Sequence, residues 1–563
     1  CMATAVVAHK QSFGFDAPPF TLKDLELSDT IVFIGANPVV AHPILWGRVM
    51  KNTDKKVIVL DPRKSETAMN ADYWYGLKGK SDLQLFYTVA NLLIEKGYID
   101  KKYIADHTEG FEEFKEFVKK YTLEIAIKKT GLSKEQILEF VELIHKGKRV
   151  SFWWTMGVNQ GYEAVRTAQA IINIALMTGN IGREGTGANS ITGQCNAMGS
   201  RAYSNTAVLF GGGDFNNEKR RQQVAAALEV DESVLAEKPT ITYNQIIEGI
   251  NNGDIKGLWI LCTNPMHSWT NNKTFQTAVE KLELFVVQDI YDDTDSAQAC
   301  NVFLPVVPGI KKEGTYINLE RRISAMRPCL EKEENEKNDY EVIYEIGKAL
   351  GMGELLKNWE TPKEAFKLMQ KCSKGMPCDF TGTSWEKLEN SHGVQWPFRE
   401  GEVLEEDERR LYEDGNYFTP SKKAKFIFEE IRENPLPLTD EFPILLNTGR
   451  GTVGQWHTQT RTREVQFVED VVADKAYVYM NTILAEENNI KENDKIRIYS
   501  INGKDAVFFV KITENVQYEE LYAPIHYIEC NMLTPSIYDP YSKEPSYKAT
   551  PVRLEKLEVE ADV

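Results

Sequence analysis

The chain has 563 residues, 42% of them hydrophobic and 26% charged, the composition of packed globular protein with room for roughly two to four domains. Its 66 basic against 83 acidic residues leave a net charge of −17, which argues against binding a phosphate backbone. No segment approaches the about 20 apolar residues of a membrane span, and mean hydropathy is −0.39. The eight cysteines include no C-x2-C pair, so these residues carry neither a zinc ribbon nor an iron–sulfur motif.

The first residue is Cys1, not methionine, so the sequence is expected to be either processed or a fragment of something longer. Three readings compete. A lipidated cysteine at a mature terminus would imply membrane anchoring. A catalytic or metal-ligating thiolate would need a basic or metal environment. The third reading is a buried cysteine at the point where the sequence begins.

In chain order, Thr30-Ile31-Val32-Phe33-Ile34 is a β-branched run ending in the turn Gly35-Ala36-Asn37-Pro38. A second run, Val57 to Leu60, ends in Asp61-Pro62-Arg63. A strand, a small-residue turn and an acid some two dozen residues on make the general form of a dinucleotide site, although the full G-x-G-x-x-G is missing. Helices are expected over about 80–147. One opens at Ser81-Asp82 and closes at Gly97. Another starts with the capping box Ser133/Gln136, flanked by Leu132 and Ile137 as a hydrophobic staple, and stops at Gly147.

A second α/β set is expected from Val150, with the strand Ser151-Phe152-Trp153-Trp154 running into Thr155-Met156-Gly157-Val158-Asn159-Gln160. A helix from about Glu163 to Met177 follows. Strands are expected at Leu258–Leu261, Leu284–Val287 and Val302–Pro305, the first two ending in Thr263-Asn264-Pro265 and Gln288-Asp289. Parallel sheets hold ligands at such ends, so two sheets point to two nucleotide-like ligands or one long one. Residues 330–435 are charge-rich and irregular, and the run Glu331 to Lys337 reads as a solvated face or linker. From Phe442 short strands suggest a small barrel, with Asn502-Gly503 as a type I′ hairpin signal.

The polar stretch Gly182 to Asn189, followed by Thr192-Gly193-Gln194-Cys195-Asn196-Ala197-Met198-Gly199-Ser200-Arg201, reads as a long ligand-contacting loop. Its glycines admit a ligand to the backbone, and Gln194 and Asn196 can both donate and accept. A second cluster, Thr448-Gly449-Arg450 and Trp456-His457-Thr458-Gln459-Thr460-Arg461-Thr462, interleaves arginines with hydroxyls. Such a set suits phosphate or pterin-like heteroatoms.

These residues together resemble the catalytic subunit of molybdopterin oxidoreductases of the dimethyl sulfoxide reductase family, most of all bacterial assimilatory-type nitrate reductases. The resemblance runs from Cys1 to about Arg553 and weakens through 330–435. Its most specific pieces are Cys1-Met2-Ala3-Thr4-Ala5-Val6, Asp16-Ala17-Pro18-Pro19, the Thr192 to Gly199 stretch, Glu313 to Asn318 and Gln455-Trp456-His457-Thr458. Leu533-Thr534, Asp539-Pro540 and Lys548-Ala549 add to it.

The resemblance implies an α/β fold of two doubly wound Rossmann-like domains followed by a C-terminal β-barrel of double-psi type. Expected boundaries are 1–150 for the first α/β domain with the metal-ligand loop and 151–330 for the second. A charged linker or insert is expected over 331–435 and the barrel over 436–563. It also implies molybdenum bis(molybdopterin guanine dinucleotide), with Cys1 as the metal ligand, an appropriate soft donor. Gly35, Asn37, Asp61, Arg63 and Asp82 are the implied contacts to one dinucleotide. Met156, Gly157, Gln160, Gln194, Asn196, Arg450 and His457 are implied for pterin or dinucleotide contacts, with Asn531 and Lys548 at the barrel end. Arg201 matches an arginine near the substrate funnel of related nitrate reductases, where a guanidinium would orient a planar oxyanion.

Relatives carry a [4Fe–4S] cluster on four cysteines ahead of the metal-ligating one; the resemblance implies such a cluster in an N-terminal segment that is missing from these 563 residues. Phe15 stands where periplasmic nitrate reductases commonly have methionine, favouring the assimilatory branch and a cytoplasmic location. No C-terminal cysteine-rich domain of the kind some relatives add is expected from these 563 residues. The expected activity is reduction of nitrate to nitrite with electrons from a partner such as a ferredoxin or flavoprotein. Formate oxidation is the alternative within the family, set back by Met2 where formate enzymes usually carry histidine after the metal ligand. Outside that reaction class stand a non-catalytic chain needing a separate iron–sulfur partner and a plain nicotinamide dehydrogenase.

Overall fold

The computed structural model describes residues 1–203, 205, 208–403, 408–452, 457–462, 465–466 and 475–558; Gln455 and Trp456 of the second polar cluster lie outside them. The chain divides into two compact units. The first holds Cys1–Ile191, Pro265–Thr277 and Arg410–Val563, and the second holds Thr192–Asn264 and Ala278–Arg409.

The strands of the first segment are β1 (Thr30–Ile34), β2 (Lys56–Leu60), β3 (Tyr73–Tyr75), β4 (Thr108–Glu109), β5 (Val150–Trp154) and β6 (Gly187–Ser190). The second unit supplies β7 (Gly257–Leu261), β8 (Leu284–Asp289), β9 (Val302–Pro305), β10 (Gly314–Ile317), β11 (Arg322–Met326) and β12 (Val394–Gln395). The chain then returns to the first unit with β13 (Ala424–Lys425), β14 (Ile444–Gly449), β15 (Tyr477–Met480), β16 (Lys495–Ser500), β17 (Asp505–Ile512), β18 (Glu520–Pro524) and β19 (Thr550–Lys556).

In the first unit a parallel sheet has the order β3-β2-β1-β5-β6. β1 and β5 are buried at every position, as strands covered on both faces must be, and apart from Thr30 and Ser151 they are apolar. The strand at Val150, which the sequence suggests as the start of a second α/β set, instead pairs with β1, Ile34 opposite Trp154. A run so largely apolar carries no periodicity by which to choose its partner. The strand order reverses between β1 and β5, the position where open α/β sheets form a ligand crevice.

The helices Asp82–Glu95 and Ala164–Met177 pack against one another, and Ala3–Phe13 packs on the second. Every residue of Ala164–Met177 is buried. Lys134–Lys146 begins with the anticipated capping box: the Gln136 N–H donates to Ser133 Oγ at 3.2 Å and the Ser133 N–H to Gln136 Oε1 at 2.9 Å. The stretch anticipated as one long loop contains β6, whose small residues are wholly buried beside β5, and the short helix Ala197–Ala202. Small side chains leave no apolar pattern, so the strand is silent in the sequence.

The C-terminal strands close a barrel of order β14-β18-β15-β17-β16-β19, with β14–β18 and β15–β17 parallel. Ile496, Ile498, Phe508, Val510, Leu521 and Val552 fill its core. The β16–β17 hairpin forms, but among its loop residues only Gly503 has positive φ (+78°). A type I′ turn needs positive φ at both central residues, so this connection is of a different kind.

The second unit contains the parallel sheet β7-β8-β9 and the antiparallel sheet β10-β11-β12. The region anticipated as a charged linker carries the helices Asp339–Ala349 and Pro362–Ser373. Ala365, Phe366, Leu368, Met369 and Cys372 of the latter are buried at helical spacing. Its charges lie on the outer face, where Lys363, Lys367 and Lys371 are exposed, which is why composition alone masks the core.

One buried ion pair ties the two ends of the first unit. Asp24 is fully buried and accepts from the N–H groups of Thr21 (2.9 Å) and Gly185 (2.7 Å) and from Arg410 Nη2 (2.6 Å). Replacing Arg410 by Met strands this carboxylate, and the expected loss is about 3–5 kcal/mol, read from the denaturation midpoint. Adding Asp24→Asn in the same chain is expected to recover part of it.

Candidate functional site

The crevice of the first unit is built on two turns. Gly35 follows β1 with φ +52°, and its carbonyl accepts from the Gly157 N–H at 3.0 Å and from Thr155 Oγ1 at 2.9 Å. A Cβ on Gly35 would lie 2.7 Å from the Gly157 Cα, so neither position has room for a side chain. Residues Met156–Asn159 form a short helix after β5. Asn159 Nδ2 donates to the Cys1 carbonyl at 3.1 Å and contacts Met2 Sδ at 3.4 Å, which brings the exposed Cys1 beside this turn. Met156 and Gln160 are half-buried at its two ends.

At the ends of β2 and β3 the barrel contributes a second wall. Arg63 stacks over the Tyr522 ring at 4.4 Å and pairs with Glu66 at 3.1 Å. Tyr522 donates to the Arg450 carbonyl at 2.7 Å. Glu520 accepts from the Gly79 N–H at 2.8 Å and from Asn447 Nδ2 at 2.6 Å. Lys548 Nζ donates to the Thr448 carbonyl.

Crowding by protein displaces the acids and bases here in opposite directions. Burial, with Asp82 adding repulsion, pushes Asp61 up to about 6, and burial with Asp61 and Asp82 nearby pushes Glu520 up to about 7. Burial and the Lys80 charge bring Lys548 down to about 8. Such opposed shifts in a crevice mark functional sites.

A small cleft lies between the Lys80 turn and the segment after β5, lined by Lys80, Asp82, Gly157, Gly161, Tyr162, Glu163 and Thr167, among others. Burial raises Asp82, and it lifts Glu163 to about 7. His457 borders Arg450 and His267, and desolvation with their charges lowers it to about 4. The His457 carbonyl and the Gly451 N–H are both held by His526, at 3.0 and 3.1 Å.

Asn531, on the helix Ile528–Leu533, is buried with its Oδ1 unpartnered among the described residues. That is an acceptor without a protein donor. By contrast, Asn37 spends its amide on Glu66 (2.7 Å) and Thr67 (2.7 Å), bracing the turn after β1.

The second unit carries the remaining sequence candidates. Gln194 and Asn196 are exposed, and Asn196 Oδ1 accepts from the Ile317 N–H at 3.0 Å. Arg201, on Ala197–Ala202, contacts Met198 Sδ. At the carboxyl ends of β7 and β8 a further cluster forms. Asp339 accepts from Cys262 Sγ (3.2 Å), Gln288 Nε2 (3.0 Å) and Lys312. Cys262 holds φ +52°, and burial beside Asp339 pushes its thiol up to about 12.

Thus Gly35, Asp61, Arg63, Asp82, Gly157, Arg450, His457 and Lys548 converge in the first unit, while Gln194, Asn196 and Arg201 lie in the second. Sequence reading missed Lys80, Glu163, Glu520 and Tyr522 as site residues. The turn Gly79-Lys80-Ser81, set between a strand and a helix start, was the one available signal for the first of them.

The pattern of crevice and barrel has known counterparts. Residues 7–349 match the molybdopterin oxidoreductase family, and residues 444–551 match the molybdopterin dinucleotide-binding domain. The chain belongs to the molybdopterin oxidoreductase family. It is 31% identical over 569 residues to a nitrate reductase of Synechocystis, covering 98% of this chain and 79% of that protein. It is 30% identical over 562 residues to a formate dehydrogenase alpha subunit of Methanocaldococcus jannaschii, covering 99% of this chain and 80% of that protein. Among solved structures, acetylene hydratase from Pelobacter acetylenicus superposes with a TM-score of 0.76 at 15% identity, covering 99% of this chain and 81% of that one.

The dinucleotide-binding domain indicates a molybdenum cofactor with two molybdopterins. The residues present fit such a group: the side-chain-free cradle at Gly35 and Gly157 admits a ligand to the backbone, and the Asn531 oxygen offers an acceptor. No helix among the described residues is long and apolar enough to cross a membrane.

Because Glu520 is raised in the folded chain from 4.5 to about 7, its contribution to stability is fully present below about pH 4.5 and is lost as the pH rises through about 7. Glu520→Gln is expected to flatten that part of the stability profile, by at most about 3 kcal/mol. Denaturant midpoints taken from pH 4 to pH 8 test it.

Proposed function

We propose that the chain is the catalytic subunit of an assimilatory-type nitrate reductase. Nitrate takes up two electrons and two protons and leaves as nitrite and water. The observation that supports nitrate most is Met2, buried beside Cys1 with its sulfur 3.4 Å from the Asn159 amide, where formate enzymes usually carry histidine; the 31% identity to a nitrate reductase along 98% of the chain agrees with it. When bound, the molybdenum–dithiolene group supplies the two-electron redox change.

The chain's own residues hold and tune that group. The Cys1 thiolate is the metal ligand in this reading. Gly35 and Gly157 present backbone to the dinucleotide. Asp61 and Asp82 accept its N–H groups, Arg63, Arg450 and Lys548 face its phosphates and heteroatoms, and His457 and Asn531 accept from pterin nitrogens. Met156, Gln160, Gln194 and Asn196 are further contacts in this assignment, and Asn37 acts by fixing the turn. Arg201 is the cation that draws and orients the planar oxyanion. Electrons come from a soluble donor protein such as a ferredoxin or flavoprotein.

Formate oxidation is the second reading, favoured by the formate dehydrogenase relative at 30% identity. Assay of the cofactor-loaded chain with reduced viologen and nitrate, and separately with formate and oxidised viologen, decides between them. Nitrite formation without formate-dependent viologen reduction is expected, and the reverse pattern overturns the proposal.

Two substitutions extend this test. Arg201→Ala is expected to raise KM for nitrate roughly 10–100-fold, the loss of one charge-assisted hydrogen bond, with molybdenum content unchanged. Cys1→Ala is expected to abolish nitrite formation while the protein still releases guanine nucleotide on acid extraction.

A further inference from the structure

Lys80 sits in the turn between β3 and the helix Asp82–Glu95 with φ +63°. A side chain other than glycine rarely holds that conformation, and where it persists the strain tends to sit at ligand sites. Its Nζ crosses the cleft to donate to the Gly157 carbonyl at 2.8 Å. A Cβ on Gly161 would come within 2.7 Å of that Nζ, so the lysine's end packs directly against the Gly161 backbone. The lysine therefore bridges the β3 turn to the β5 turn whose own N–H is given to Gly35.

An ammonium has three donors, and Gly157 takes one. Lys80 lines the cleft together with the carboxylates of Asp82 and Glu163, both close enough to interact with it electrostatically. Glu163 is also fixed by the Arg432 N–H, which donates to Oε1. Two carboxylates disfavour a phosphate at this spot. They suit a ring edge with adjacent N–H groups beside a carbonyl oxygen, where a carboxylate takes the N–H pair and the ammonium donates to the carbonyl. Guanine and pterin rings share that aminopyrimidinone edge.

We propose that Lys80 is a specificity-determining residue of this cleft, its ammonium donating to the carbonyl oxygen of an aminopyrimidinone ring whose N–H groups a neighbouring carboxylate accepts. The inference rests on the dinucleotide reading of the crevice and names the residue that reads the ring. Lys80 thereby selects guanine or pterin against adenine, which carries an amino group where guanine has the carbonyl.

The test uses calorimetric titration of the full chain, purified free of molybdenum cofactor, with guanosine, adenosine and 6-hydroxymethylpterin. Binding of guanosine or of the pterin, with adenosine at least about tenfold weaker, is expected, and whichever of the first two binds identifies the ring. Lys80→Met is expected to weaken that binding about tenfold or more and to abolish the preference over adenosine. Lys80→Gly removes the same ammonium while relieving the left-handed strain, so it is expected to lose binding equally yet melt at or above the temperature of Lys80→Met. This second variant keeps the test open if the first folds poorly. Wild-type affinity and preference in Lys80→Gly overturn the role of Lys80 and leave the dinucleotide reading standing. Failure of the wild-type chain to bind either ring overturns both, and equal affinity for adenosine overturns the specificity.

Discussion

The contact on which the first unit depends is between two backbones. Gly35 and Gly157 meet at the carboxyl ends of β1 and β5, joined by one hydrogen bond of 3.0 Å and too close for any Cβ. Because the strand order reverses at this pair, the turns on either side diverge and open the crevice. Everything that borders the crevice is referenced to them. Thr155 braces the Gly35 carbonyl, Lys80 takes the Gly157 carbonyl, and Asn159, one turn on, holds the Cys1 carbonyl. The residue that carries the Cys1 thiol is thus held through its backbone by a short helix some 150 residues away in sequence.

Around that junction the fold gathers charges that it cannot fully hydrate. Asp61, Asp82, Glu163 and Glu520 are raised by burial, and Lys80 and Lys548 are lowered by it. Replacing such groups by apolar residues would cost little or even stabilise the chain, so stability does not account for them. The contacts around them instead run between the barrel and the sheet: the Gly79 N–H donates to Glu520, Gln517 Nε2 donates to the Pro62 and Gly76 carbonyls at 3.2 and 3.0 Å, and Arg63 stacks over Tyr522. The network both fixes the barrel against the crevice and leaves donors and acceptors at the wall.

What the sequence disclosed follows from what side chains can signal. Apolar runs at Thr30–Ile34 and Val150–Trp154, the capping box at Ser133 and the glycines at 35 and 157 are all written in residue type, and so were legible. Pairing was not, because strands buried on both faces look alike to any partner. β6 went unseen because Gly187–Ser190 has almost no side chain to pattern. The helix Pro362–Ser373 was masked by charges on its outer face. Lys80 and Cys262 were overlooked for a different reason: what distinguishes each is a positive φ, and neither residue type announces one. The Asp339 cluster at the ends of β7 and β8 needed a helix from some fifty residues downstream to exist at all.

The scaffold does not separate the two reactions, since relatives named for nitrate reduction and for formate oxidation cover nearly the whole chain at 31% and 30% identity. Nor does the charge of the substrate: nitrate and formate are both planar monoanions, and a guanidinium at Arg201 would attract either. The reactions differ in the movement of protons. Formate oxidation must remove the proton bound to carbon as two electrons leave, and so calls for a base at the metal. Nitrate reduction delivers protons to an oxygen that is already leaving as water and calls for none there. The residue beside Cys1 is Met2, buried, its sulfur in contact with the Asn159 amide at 3.4 Å. A thioether is only a weak acceptor and does not titrate. The immediate neighbour of the proposed metal ligand therefore lacks the group that formate oxidation would use, and this local chemistry, more than overall likeness, is what supports the proposed nitrate reading.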